Sequence, residues 1–386
     1  MSENSSHVNR TDSKEKIFFP NLDGLRFFAF FAVFFHHSLI VKCFSSDTGS
    51  SIYRFVDGQK ENGALGVNLF FVLSGFLITY LLLSEKTKYA TIHVPRFYLR
   101  RVLRIWPLYF MMVMVGFLFF PLVKQIMGAV PNETHRLGYY MLFVSNFEMI
   151  KAGFADSSIL NVLWSVGVEE QFYFLWPVLL FLTPRKFLPW LFAILISGTL
   201  IFRYMNTGNP RVVYYHTFAV FSDMVIGGLS AYFSFFSKRF IDLFRKMPRI
   251  SIISVYIVMT GLIAFRHIIF INDLAFTFER LILSLFFAFI ILEQNFASHS
   301  FYKISSNKLL SRWGNYTYGL YCWHTVGLLA AHIFSERILK LENDWLIMGI
   351  DFTLGLGLTL IMAYFSYTWF ETPFLKLKNK FAYFIK

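Results

Sequence analysis

Ten stretches of roughly twenty mostly apolar residues follow one another along this chain, at 22–42, 63–83, 102–123, 159–182, 187–205, 213–236, 251–270, 275–292, 313–334 and 345–370. Each has about the length that a helix needs to cross a hydrocarbon core of ~30 Å. In lipid every backbone N–H and C=O has to be satisfied within the protein, which restricts spanning structures to helices and closed barrels, and runs of this length select helices. The fold class predicted is all-α: a polytopic integral membrane bundle of ten transmembrane helices. Composition agrees, since 56% of the 386 residues are hydrophobic and only 15% are charged, well short of the charged fraction of a soluble chain.

The net charge of +13 would suit nucleic acid if it formed a patch. Instead the basic residues alternate with the apolar spans, so the predicted partner is the lipid bilayer and no nucleic acid. A shorter run, 137–150, is too brief to span comfortably. If it does not cross, Arg185, Lys186 and the cluster Lys238, Arg239, Arg245, Lys246 and Arg249 share one side with the segment 84–104. The positive-inside rule makes that side cytosolic and puts both termini there. The first 21 residues are polar and the apolar stretch that follows lacks a small-residue cleavage site, so the start is expected to be a cytosolic tail, not a removed signal peptide. The division expected is a tail at 1–19, one transmembrane domain at 20–375 and a basic cytosolic tail at 376–386. Cys43 and Cys322 are the only cysteines, too few for a disulfide framework or a zinc site.

Charge inside hydrocarbon is expensive, so ionisable residues within the spans are the first functional candidates. Arg26 and His37 are eleven positions apart; at about 100° per residue they come within roughly 20° of one helix face, about 16 Å apart along the axis. His36 falls off that face. At depth, a neutral His37 imidazole can accept a proton from a hydroxyl. An arginine that snorkels and a histidine bonded to a neighbouring helix are the plainer alternative.

Pro95 is placed to open a helix on which Arg101 and Arg104 share a face, while Arg96, Arg100 and Arg104 form a second stripe. Guanidinium forks bind phosphates, and a diphosphate-bearing donor such as an acyl-coenzyme A fits them. Anchoring to anionic lipid explains the same residues.

The densest signal lies at residues 163–177, LWSVGVEEQFYFLWP. Ser165, Glu169 and Tyr173 stack at four-residue steps, with Phe172 and Trp176 beside them. Of two adjacent carboxylates at mid-membrane, at least one has to meet a cation or keep its proton. Glu169 is expected to pair with or orient His37, and Glu170 to answer an arginine; a purely structural ion pair is the alternative. Gly66, Ser74 and Gly75 read as small packing residues. His324, beside Trp323 and Tyr321, reads as a satisfied pocket residue, and Pro373 as a helix stop. Asp223 is a further intramembrane charge whose partner the sequence does not name. No ligand spacing for zinc or magnesium occurs, so no metal is expected.

In their order these motifs resemble the acyltransferase 3 membrane proteins, of the OafA/YrhL type that O-acylate carbohydrates. Leu22-Asp23-Gly24-Leu25-Arg26 with His37 matches the first signature, and its spacing selects His37 over His36. Residues 66–76 look like the second-helix signature, with Asn68 where Asp is frequent. Arg101 and Arg104 look like the arginine pair, and Trp164-Ser165 through Tyr173 like the tryptophan-to-glutamate block. Residues 314–324 resemble a late-helix block, with Thr317 at a usual Ser and Cys322 at a usual Leu, and Glu371-Thr372-Pro373-Phe374 looks like the terminal signature.

The resemblance implies a membrane-bound O-acyltransferase that moves an acyl group, acetyl foremost, from acyl-coenzyme A to a hydroxyl of a cell-surface or lipid-linked carbohydrate. It implies His37, Glu169 and Glu170 as the catalytic set, with Arg26, Arg101, Arg104, Trp164, Ser165, Tyr173 and His324 binding donor or acceptor. The location implied is the inner membrane of a bacterium. A transporter or flippase of a glycan or acylated intermediate would also bury charge, but the inverted repeats and matched broken helices of that class are not found.

Overall fold

Pro20 opens the first long helix, a position where its fixed φ and missing N–H suit the first turn. The computed structural model describes residues 19–40 and 61–381, all of whose regular elements are helical. The tail at 1–18, Cys43 with most of the 43–62 loop, and residues 382–386 lie outside the described residues. The long helices are α1 (Pro20–Ile40), α2 (Leu65–Tyr89), α3 (Val94–Met114), α4 (Leu163–Leu182), α5 (Leu188–Met205), α6 (Thr217–Phe236), α7 (Arg249–Ala264), α8 (Asp273–Phe296), α9 (Thr317–Ile333) and α10 (Asp344–Phe365). Local chemistry sets several of their ends. Pro95 sits in the first turn of α3, and Asn272 caps α8 by accepting the Ala275 N–H at 2.8 Å. Lys86 donates to the carbonyls of Leu180 and Thr183 at 2.6 and 2.9 Å, satisfying the end of α4 from a neighbouring helix.

Six helical segments are long and apolar enough to cross a membrane: Asn62–Tyr89, Val94–Ile126, Arg185–Met205, Pro210–Phe236, Asp273–Phe296 and Trp345–Lys378. The pair Lys238–Arg245 and Arg249–Ala264, bent by 89°, makes a seventh if counted as one span. This is a multi-pass helical membrane protein. α1 and α4 stand outside that set because Asp23, Arg26, Glu169, Glu170 and Gln171 dilute their apolar character. Residues 137–150 contain two short helices, Leu137–Met141 and Ser145–Ala152, neither of which reaches across a ~30 Å core. Gln171 pins this segment to α4 by donating to Phe143 O and Asn146 Oδ1 at 2.8 and 2.9 Å.

Pro373 does not stop its helix. A π turn over Ser366–Glu371 continues α10 into Thr372–Lys380. Pro373 follows that π turn inside the continuing helix, where it withdraws one backbone donor.

α2 and α6 pack extensively against each other in the bundle core. A Cβ on Gly75 would overlap the Met224 backbone, and one on Gly227 would overlap the Val72 carbonyl, so both glycines are required by backbone contact. Gly66 likewise meets Ala29 O of α1. Asp223, with no exposed surface, finds its partner on α8: Arg280 reaches Oδ2 at 2.6 Å and Ser284 donates to Oδ1 at 2.8 Å. Asn68 joins the same network by donating to Ser284 at 3.1 Å. Arg203, also buried, aims its guanidinium at backbone carbonyls, among them Thr277 O at 3.1 Å and Ala219 O at 3.3 Å.

Candidate active site

Helices α1, α2, α3, α4 and α9 enclose a cavity onto which Arg26, Arg101 and Arg104 converge, together with Ser74, Ser165, Glu169, Tyr173 and Tyr321. Among the described residues Glu169 is its only lining carboxylate, and Val67, Phe70, Phe71, Leu77 and Ile78 supply an apolar wall from α2. The three-residue step between Arg101 and Arg104 delivers both guanidiniums to this space because α3 is helical through both positions. The second stripe is divided: Arg100 turns to Glu85 at 3.4 Å and to Phe381 O at 3.1 Å, and Arg96 is exposed.

The cations differ in how far the protein itself satisfies them. Arg26 donates to Asp23 Oδ1 at 2.9 Å, one turn back on α1. Arg101 lies over the rings of Phe97 and Tyr173 at 5.4 and 5.5 Å, and its buried Nε has no hydrogen-bond partner. Among the described residues neither Arg101 nor Arg104 has a carboxylate within ion-pair distance. A partly buried cation without an acid partner is costly.

The two glutamates part company. Glu169 Oε1 accepts Ser74 Oγ at 2.7 Å and Oε2 accepts the Tyr173 hydroxyl at 3.2 Å. Ser74, read from sequence as a packing residue, thus holds a cavity carboxylate. Glu170 lies about 100° further round α4 and does not answer an arginine: its Oε2 accepts the Trp106 indole N–H at 2.9 Å, and its buried Oε1 has no partner.

The expected pairing of Glu169 with His37 is not formed. Among the described residues no hydrogen bond joins them, because Glu169 lines the cavity at the level of Arg26 while His37 stands about 16 Å further along α1. His37 meets His324 instead: His37 Nδ1 lies 2.9 Å from Val33 O and 3.3 Å from His324 Nε2. The ring centroids are 4.8 Å apart. His324 is fully buried, with its Nδ1 2.5 Å from Tyr321 O. Tyr321 bridges the two levels: its hydroxyl lies 2.6 Å from Ser165 Oγ in the cavity, and its carbonyl holds His324. His36 adjoins the pair, its ring centroid 5.0 Å from that of His37, while its Cβ packs against Gly63.

Of the ten residues singled out from sequence, Arg26, Arg101, Arg104, Ser165, Glu169 and Tyr173 line the cavity. Trp164 packs elsewhere, 5.4 and 5.0 Å from the rings of Tyr214 and Tyr215. Ser74, Trp106 and Tyr321 were missed as site residues. The one available signal was the recurrence of hydroxyl and indole groups within otherwise apolar runs, which always leaves a donor in need of a partner.

A family profile described as an acyltransferase domain matches residues 19–374. Among curated proteins, the chain is similar to the peptidoglycan O-acetyltransferase OatA of Listeria monocytogenes, 27% identical over 96% of this chain and 58% of the relative. It is also similar to the O-acetyltransferase OatA of Staphylococcus aureus, 29% identical over 93% of this chain and 57% of the relative. The chain therefore spans less than two thirds of the length of these relatives. No solved structure matches it significantly.

Proposed function

Since the chain belongs to the acyltransferase 3 family, we propose that it is a membrane O-acyltransferase that carries an acetyl or longer acyl group from acyl-coenzyme A to a carbohydrate hydroxyl. The observation that carries this reading is the convergence of three guanidiniums and one carboxylate on a single cavity beside an apolar wall. Phosphates of the donor bind Arg101 and Arg104, with Arg26 adjoining, and the pantetheine arm follows the apolar residues of α2. The thioester is thereby led along α1 toward His37.

His37 acts as the general base. Its ring takes the proton of the acceptor hydroxyl as the oxygen attacks the thioester carbonyl; the carbon–sulfur bond breaks, and the thiolate leaves to recover a proton. Glu169, held by Ser74 and Tyr173, works from the arginine level, where it orients bound donor and limits the positive charge. Glu170 supports that wall through Trp106.

The acceptor class proposed is a cell-surface or lipid-linked carbohydrate, a reading supported by the name of the Listeria relative, a peptidoglycan O-acetyltransferase. The topology proposed adds α1, α4 and α9 to the seven candidates, giving ten crossings of a bacterial cell membrane with both termini cytosolic. Arg101 and Arg104 then face the compartment that holds coenzyme A.

The test is turnover of acetyl-coenzyme A by the purified protein with glycan acceptors. Wild type is expected to release coenzyme A and acetylate the glycan, and His37→Ala to do neither while remaining folded. A fully active His37→Ala would remove the assigned base.

A further inference from the structure

Only the lone pair of a neutral imidazole can take a proton, so a histidine base is useful when its proton is held on the nitrogen that faces away from the substrate. The partners around His37 settle this. His324 Nδ1 faces Tyr321 O at 2.5 Å. A carbonyl only accepts, so His324 carries its proton on Nδ1 and its Nε2 is bare. That bare nitrogen lies 3.3 Å from His37 Nδ1, which also faces Val33 O at 2.9 Å. Two acceptors on one ring nitrogen require the proton to be there. The lone pair of His37 is then on Nε2.

We propose that His324 is a positioning residue for the reaction: it fixes His37 in the Nδ1-protonated tautomer and shares the charge that His37 gains when Nε2 takes the proton. The inference rests on His37 being the base. His324 stands where many histidine bases have a carboxylate. As a neutral ring it avoids burying a permanent negative charge, which at this depth would need its own cation. When His37 is doubly protonated, its Nδ1 proton moves toward His324 Nε2, and the positive charge spreads over two rings. Return of that proton restores both rings once the departing thiolate has taken the proton on His37 Nε2. The surroundings of His324 suit the role: it has no exposed surface and is flanked by Phe30 and Tyr321 at ring distances of 6.4 and 5.5 Å. Its orientation is thus fixed by packing and by the Tyr321 carbonyl. Sequence placed His324 at depth but read it as a satisfied pocket residue, because the 287 positions that separate it from His37 hide the contact.

Kinetics of His324→Phe and His324→Gln test this. His324→Phe keeps the ring volume and removes the acceptor; kcat is expected to fall by about 10²-fold with KM for acetyl-coenzyme A unchanged. The glutamine carbonyl can replace the lost lone pair, so His324→Gln should recover at least about tenfold of that loss, within the same range. A His324→Phe enzyme with wild-type kcat, or a Gln variant no better than Phe, overturns the proposal. Nitrogen-15 spectra of labelled histidine, assigned by loss of signals in His37→Gln and His324→Gln, decide it without activity. Nδ1 protonated and Nε2 bare on both rings is expected, and His324 protonated on Nε2 refutes it. Full activity of His37→Ala alone would instead strike the base assignment on which this inference rests.

Discussion

Arg101→Ala tests the donor reading most sharply, because the structure shows what that guanidinium does and does not hold in the free protein. It has no carboxylate partner among the described residues, its Nε is unsatisfied, and its contacts are the faces of Phe97 and Tyr173. Removing it leaves no buried acid unpaired. The loss of two cation–π contacts, about 0.5–1 kcal/mol each, is offset by relief of a desolvated cation, so unfolding in detergent should shift little. Binding should shift much more. A charge-assisted hydrogen bond is worth about 1.5–3 kcal/mol, and each ~1.4 kcal/mol is tenfold in affinity. Arg101→Ala should therefore bind acetyl-coenzyme A about 10–100-fold more weakly, and Arg101→Lys, which keeps the charge but not the fork, should fall between. Arg26 already directs an N–H at Asp23, so Arg26→Ala should lose less affinity than Arg101→Ala. Titration calorimetry on the solubilised protein measures all three. Wild-type affinity in a folded Arg101→Ala protein would refute donor binding by this cavity, and a large loss of stability would refute the claim that Arg101 is held in reserve for a ligand.

Asp223→Ala removes the carboxylate that Arg280 meets at 2.6 Å and leaves a buried guanidinium unpaired; a loss of about 3–5 kcal/mol is expected, read by thermal unfolding, and Asp223→Asn should lose less because it can still accept from Ser284. Gly227→Ala sets a methyl group onto the Val72 carbonyl and should destabilise by about 1–3 kcal/mol, whereas Gly198→Ala, which meets open space, should not. Burial would raise the Asp156 carboxyl, but the Lys124 ammonium at 2.6 Å and the Asn132 N–H hold it below its ordinary value of 3.8. Its contribution, up to about 1 kcal/mol for a partly exposed pair, is therefore present above pH ~4 and lost as the pH falls through the lowered value. Asp156→Asn should flatten that acid limb in unfolding scans, and an unchanged limb would exclude this pair as its source.

Much of the fold could be read directly along the chain. Apolar runs as long as a bilayer is thick become helices because lipid offers the backbone no other partner, and the six helical segments long and apolar enough to cross, seven with the bent pair, overlap those runs. The site's local geometry was legible for the same reason. A rise of 1.5 Å and a turn of 100° per residue place His37 above Arg26, and Arg104 beside Arg101, whatever surrounds them. What sequence could not supply was the rotation of each helix against its neighbours. That is set where Gly75 meets Met224, Gly66 meets Ala29 and Gly227 meets Val72. The packing of all the helices together brings Ser74 to Glu169, Trp106 to Glu170, Arg280 to Asp223 and His324 to His37. Each of these partners lies dozens to hundreds of residues away, so no periodicity reports it. The chain by itself determined which side chains had to be satisfied inside the membrane, because charge and hydrogen-bonding groups in hydrocarbon cannot be left alone. Only the packed bundle decided with what, and it reassigned His37 from a glutamate to a second histidine because Glu169 shares the level of Arg26, one long stretch of helix short of His37.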